Sequence, residues 1–151
     1  MTQVFEAPDL REIYRDLYVS MPWPEPIPHP DEVIFRWSHR TTSTLGTCNR
    51  NTKVITINQL YRHPRLHGEL DHLMAHEASH FIWHGHPKAF KDFLRRAGVA
   101  ADYINSAGRP SETYRSVEEE WSARSLALYP SLHIDSEGRE RYAPPLRAPS
   151  G

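Results

Sequence analysis

Seven histidines, His63, His67, His72, His76, His80, His84 and His86, crowd the stretch from 63 to 86, out of ten in the 151 residues. From 66 to 84 that stretch reads LHGELDHLMAHEASHFIWH, with Leu66, Leu70, Leu73, Met74, Ala75, Ala78, Phe81 and Ile82 distributed over several faces of any helix it forms. This distribution predicts a helix from about Leu66 to His84 that is buried rather than laid on a surface. Gly85 and Pro87 are its stop signals. Within it, His76-Glu77-Ala78-Ser79-His80 spells H-E-x-x-H. Residues four apart stand one above the other on a helix face, so both imidazoles can reach one ion while Glu77 projects beside them toward a metal-bound water. Neutral imidazoles suit Zn²⁺, and a catalytic zinc site takes three protein ligands and leaves a fourth position for water. Zinc would lower the pKa of that water toward about 7, and Glu77 would take its proton and pass it to a leaving amine.

Composition narrows the setting. The chain has the length of one domain and can bury a core without disulfides. A single cysteine, Cys48, excludes both a disulfide framework and a four-cysteine zinc ribbon. No apolar run reaches the ~18 residues that span a bilayer. The N-terminus, MTQVFEAPDLREIY, has neither a basic n-region nor an apolar h-region, so a soluble cytoplasmic protein with no membrane partner is expected. With 18 Lys plus Arg against 19 Asp plus Glu, the net charge of −1 supplies no global field toward nucleic acid.

Along the chain, Leu10, Ile13, Tyr14, Leu17 and Tyr18 form one stripe after Pro8 and Asp9, predicting an amphipathic helix. Five of the 13 prolines fall in MPWPEPIPHP, 21–30, which reads as a stiff extended surface connector. Strands are expected at Glu32–Trp37, Thr42–Cys48 and Lys53–Ile57, the last two joined as a hairpin through the turn-prone NRNT. A short basic helix, Lys88–Arg96, turns Phe90, Phe93 and Leu94 inward and Lys88, Lys91, Arg95 and Arg96 outward. A last helix spans Ser111–Leu128, and an irregular tail, rich in Pro, Gly and charge, fills 131–151. Residues 1–130 therefore read as a single domain.

Geometry bears on the third ligand. On a continuous helix His84 would sit about 12 Å along the axis from His76 and about 80° around it, too far to share a small ion. His86 lies beyond Gly85, where the chain can turn back, and is favoured. Its rival is a glutamate near 119, from EEEWSARSLAL at 118–128, although an acidic first turn on a helix accounts for those glutamates too. His72, one turn before His76, reads as a packed or supporting residue, and Asp71 as a carboxylate able to orient a ligand imidazole. His29, His39, His63, His67 and His133 carry no ligand pattern, and Cys48 reads as a small buried hydrophobe. Tyr61, Tyr103, Tyr114 and Arg40 are the candidates for stabilising an oxyanion.

The segment Thr44–Phe90 resembles the core of the SprT-like and YgjP-like zincin metallopeptidases. Leu45-Gly46, Ile57-Asn58, Pro64, His76-Glu77, His80, His86 and Phe90 follow that family's order. The resemblance implies a zincin-like α+β fold, in which a small sheet with a hairpin packs its edge strand beside the helix that bears the zinc. It supports His86 as third ligand and implies an extended protein or peptide substrate added to the edge strand. Family members often carry a zinc ribbon, which a chain with one cysteine cannot, and their eukaryotic relatives degrade proteins crosslinked to DNA. The face formed by Lys88, Lys91, Arg95 and Arg96 is the local candidate for DNA phosphates, and a solvated helix face explains it as well. The expected function is zinc-dependent peptide hydrolysis, on unfolded or nucleic-acid-associated proteins. Two other readings use the same residues. YbeY-like RNA-processing hydrolases share the His76, His80, His86 spacing but have glycine where this chain has Glu77. A non-catalytic zinc-binding module would need a closed site, commonly with cysteine.

Overall fold

The computed structural model describes residues 7–38, 44–104, 111–128, 132–134 and 140–142. The first helix, α1, is Leu10–Ser20; the Asp9 side chain caps it by accepting from the Glu12 N–H at 3.2 Å. Leu10 and Tyr14 are buried, and Ile13, Leu17 and Tyr18 pack beside them, as the stripe requires. The proline-rich stretch is more than the surface connector expected. Ile27 and Pro30 are buried, the Tyr14 hydroxyl donates to the Pro28 carbonyl at 2.6 Å, and Arg11 donates to the carbonyls of Pro30 and Val33. Side chains of α1 thus donate to carbonyls along and just after the stretch, which straps it onto the helix.

Three strands form one mixed sheet in the order β1-β3-β2, where β1 is Ile34–Ser38, β2 Gly46–Asn49 and β3 Val54–Asn58. β1 runs parallel to β3, and β2 runs antiparallel to it with Gly46 opposite Ile57 and Asn49 opposite Val54. The expected hairpin is present. Asn49 organises its turn by accepting from the Asn51 and Thr52 N–H groups, both at 3.0 Å, and Lys53 closes it at φ 57°. β2 begins at Gly46 rather than at Thr42, and 39–43 lie outside the described residues. It is an edge strand whose only partner among the described residues is β3.

The histidine-bearing helix, α2, is His67–Ser79 and packs against both β2 and α1. Leu70, Met74 and Ala78 are fully buried, in keeping with a central helix. It ends one turn earlier than the expected His84. The N–H groups of His80, Phe81 and Ile82 bond back three residues instead of four, to Glu77, Ala78 and Ser79. Ser79 Oγ donates to the Ala75 carbonyl at 2.7 Å, a local bond that competes with helix propagation, and Gly85 then takes φ 71°. Next come α3, Lys88–Arg96, a tight helical turn at Ala101–Tyr103, and α4, Glu112–Leu128. The tail differs from the irregular one expected: β4, Leu132–Ile134, pairs antiparallel with β5, Glu140–Tyr142. Apolar residues at both ends of Leu132-His133-Ile134, with Asp135, Ser136 and Gly138 following, are a short hairpin signal. The α+β architecture holds. Among the described residues no helix is long and apolar enough to cross a membrane.

Candidate metal centre

α2, the loop after it and the start of α3 converge at one point. His76 and His80 share a face of the helix end, and the turn through Gly85 brings His86 back to them. The ring atom Nε2 of His76 lies 3.4 Å from that of His80 and 3.2 Å from that of His86. Phe90, fully buried on α3, lies under all three imidazoles, with ring centroids 5.0, 4.8 and 5.1 Å from those of His76, His80 and His86. An apolar floor of this kind leaves the rings no partner on that side.

The hydrogen bonds on the far side of two rings fix what they present. His76 Nδ1 is 2.6 Å from the Tyr103 carbonyl oxygen, and His80 Nδ1 is 3.1 Å from that of Trp83. A carbonyl only accepts, so each ring carries its proton on Nδ1 and turns a bare Nε2 lone pair toward the others. Two bare lone pairs 3.4 Å apart repel one another unless a cation lies between them. Tetrahedral ligands at about 2.05 Å from zinc would be spaced by about 3.3 Å, which the observed separations match. Burial keeps these rings neutral as well: it pushes His76 down to about 4 and lowers His80 and His86 below the usual histidine value. Neutral, converging imidazoles are what a divalent metal ion requires. Among the described residues they form the one group of three or more side chains able to hold such an ion.

Glu77 is buried at 4% exposure on the same helix. Burial pushes its carboxyl up to about 8. Its side chain lies against Gly46 on β2. A β-carbon on that glycine would stand 3.2 Å from both Cγ and Oε2 of Glu77, and 3.1 Å from the Thr56 carbonyl oxygen. Gly46 is therefore the space that admits the glutamate, a role that spacing along the chain does not reveal.

The family model described as SprT-like matches residues 10–114, well over half of the chain. The chain belongs to the SprT-like family. No curated protein and no solved structure gives a match. The SprT-like match spans α1, the sheet, α2 and α3, with Gly46, His76, Glu77, His80, His86, Phe90 and Tyr103 inside it, and it stops before Glu118, Glu119 and Glu120 of α4.

Among the described residues, the remaining histidines, acidic residues and Cys48 lie apart from the cluster. Glu120 pairs with Arg65 at 3.3 Å and approaches His63 at 3.6 Å, and Glu119 is exposed, so neither joins the cluster. His84 is exposed and lines an open groove with Thr47, Cys48 and Arg50 of the hairpin. Asp71 is exposed and orients no ligand ring; backbone carbonyls of Tyr103 and Trp83 do that instead, since they lie inside the fold where the rings point. His72 accepts from the Ala100 N–H at 3.0 Å, His63 from Arg65 N–H at 3.2 Å and His29 from Asp31 N–H at 3.1 Å. His67 Nε2 is 2.9 Å from the Arg62 carbonyl. His39, Arg40 and the side chain of His133 lie outside the described residues. Cys48 is half-buried, and burial followed by the charge of Glu77 pushes its thiol up to about 12, which makes a thiolate ligand unfavourable.

The tyrosines do not serve as expected. The hydroxyls of Tyr61 and Tyr103 are 2.8 Å apart and buried, and Tyr103 also donates to Glu69 at 2.6 Å, so both are spent on one another rather than turned to a substrate. Tyr114 is buried against Tyr61. On α3, Lys88 and Arg95 both pair with Asp92, at 2.9 and 3.1 Å, which reduces the cationic character of the face considered for DNA.

Proposed function

We propose that the protein is a zinc-dependent metallopeptidase, with His76, His80 and His86 as the metal ligands and Glu77 as general base. The observation that carries this reading is the pair of bare Nε2 lone pairs, on His76 and His80, meeting His86 over Phe90 beside a buried carboxylate. Zinc bound there would act as a Lewis acid toward a carbonyl oxygen and make a water acidic enough to lose its proton near neutral pH. Glu77 accepts that proton at its carboxylate and delivers it to the amine released when the peptide bond breaks. Only three ligating side chains meet among the described residues, which favours a site with an open position over a closed structural one. The edge of β2 that has no strand partner among the described residues lies beside α2, and an extended protein segment pairing there would run past Glu77.

Metal content and cleavage of an unfolded protein test the proposal together. Wild type is expected to hold one zinc per chain and to cleave; Glu77→Gln is expected to hold the same zinc and lose cleavage by at least about 100-fold. Equal activity in the two proteins, with and without DNA, would overturn it.

A further inference from the structure

Glu69, His72 and His76 are spaced by three and four residues, so they share one face of α2. All three reach the same short piece of chain. The Ala100 N–H donates to His72 Nδ1 at 3.0 Å, the Tyr103 hydroxyl donates to Glu69 Oε1 at 2.6 Å, and His76 Nδ1 donates to the Tyr103 carbonyl at 2.6 Å. The His72 ring also packs against that of Tyr103, with centroids 6.1 Å apart. Because a hydroxyl has one proton and Tyr103 gives its own to a carboxylate, the 2.8 Å contact with Tyr61 must be donated by Tyr61. The chain Tyr61 to Tyr103 to Glu69 thus has a single direction. Tyr61 and Tyr103 are 0% and 3% exposed, so losing a member strands a buried polar group.

We propose that residues 100–103 are a positioning clamp for His76, held in place by the Tyr61–Tyr103–Glu69 hydroxyl chain, and that this clamp sets the ring proton and tilt with which His76 meets a metal. The inference rests on the metal reading above. His80 needs no such device, since its Nδ1 partner, Trp83, is three residues away on the same turn. The partner of His76 is 27 residues away, so its carbonyl is in place only if further contacts hold that segment against α2. Tyr103 is accordingly a positioning residue acting through its backbone, and its side chain anchors that backbone.

Tyr103→Phe keeps the ring and deletes both hydroxyl bonds. Zinc affinity, measured by chelator competition, is expected to fall about ten-fold, the lower end of what loss of a ligand's supporting bond costs. The visible absorption of the Co²⁺-loaded protein, which reports ligand geometry and not fold, is expected to shift with it. Glu69→Ala should reproduce both changes, and Glu69→Gln, which keeps an acceptor oxygen, should recover most of the affinity. Tyr114→Phe is the control, because it removes a buried hydroxyl that has no hydrogen-bond partner among the described residues and should leave both readouts unchanged. If Tyr103→Phe fails to fold, the Glu69→Ala and Glu69→Gln pair decides alone. Wild-type zinc affinity and an unshifted cobalt spectrum in the Glu69→Ala and Tyr103→Phe proteins would overturn the clamp and leave the metal site standing. A wild-type protein that binds neither ion would overturn the metal reading itself, and the clamp with it.

Discussion

Replacing Gly46 by alanine should separate catalysis from metal binding by moving only Glu77. The new β-carbon would lie 3.1 Å from the Thr56 carbonyl oxygen and 3.2 Å from Cγ and Oε2 of Glu77. Ordinary carbon contacts settle at about 3.5–4.0 Å, so something must yield by a few tenths of an ångström. Thr56 belongs to β3, which is paired on both sides and cannot recede. The displacement therefore falls on the glutamate. A misplacement approaching 1 Å can cost about 100-fold in rate, and a shift of roughly half that places the expected loss in kcat/KM at about ten- to 100-fold, or about 1.4–2.7 kcal/mol of transition-state stabilisation. Overpacking should also lower stability by about 1–3 kcal/mol. The assay is cleavage of an unfolded protein by zinc-loaded enzyme, alongside zinc affinity by chelator competition, which should stay within about three-fold because the histidines are untouched. Gly68→Ala on α2 meets nothing within 4 Å and should leave activity unchanged while gaining up to about 1 kcal/mol in stability. Wild-type kcat/KM in Gly46→Ala would refute the argument, and a loss that tracks zinc release would show that the glycine acts on the ligands instead.

Three further outcomes are expected. His86→Ala should lose zinc and His84→Ala retain it, by metal analysis after dialysis, since only the former belongs to the cluster; retention in both would rule out His86 as ligand. Phe90→Ala should cost about 3–5 kcal/mol in denaturant unfolding and weaken zinc binding, whereas Phe90→Leu, which refills most of the floor beneath the imidazoles, should keep the metal. In the metal-free protein, burial holds the Glu77 carboxyl at about 8 against an ordinary 4.5, so between those values the folded state keeps a proton that the unfolded chain has released. Its contribution is then fully present below about pH 4.5 and lost as pH rises through about 8. The stability of wild type relative to Glu77→Gln, measured with chelator present, should fall by a few kcal/mol across that window; a flat difference would mean that Glu77 is hydrated. The opposing effect of His76, whose depressed pKa favours the folded state at higher pH, is common to both proteins and cancels.

Local patterns survive into the structure where the physics is local. The stripe of α1 after Asp9, the NRNT hairpin and the amphipathic α3 each depend on residues within one or two turns of each other, and each forms where it is expected. The early end of α2 has a local cause too, but one that hydrophobic spacing does not register. α2 stops at Ser79 because a serine hydroxyl and a tightened turn compete with the helix, although Phe81 and Ile82 continue its apolar pattern. The glutamates near 119 stand as the rival to His86 in the sequence, and what sets them aside is distant: Glu120 is bound to Arg65, more than fifty residues away, for which no spacing rule exists.

What the sequence by itself determined is the set of candidate side chains: two imidazoles and a carboxylate at H-E-x-x-H spacing, a histidine past a glycine turn, and the order of parts that marks the SprT-like family. Helix periodicity is enough for that, because it is set by the backbone and not by the rest of the fold. Only the tertiary structure decided which ring nitrogen of His76 and of His80 carries the proton, how the glutamate is accommodated and what lies beneath the cluster. Those depend on the Tyr103 carbonyl, on the missing side chain of Gly46 and on the ring of Phe90, which reach the site from a distant turn, an edge strand and another helix. Hydrogen-bond direction and close packing act through space, so they became legible only once the chain had brought these residues together.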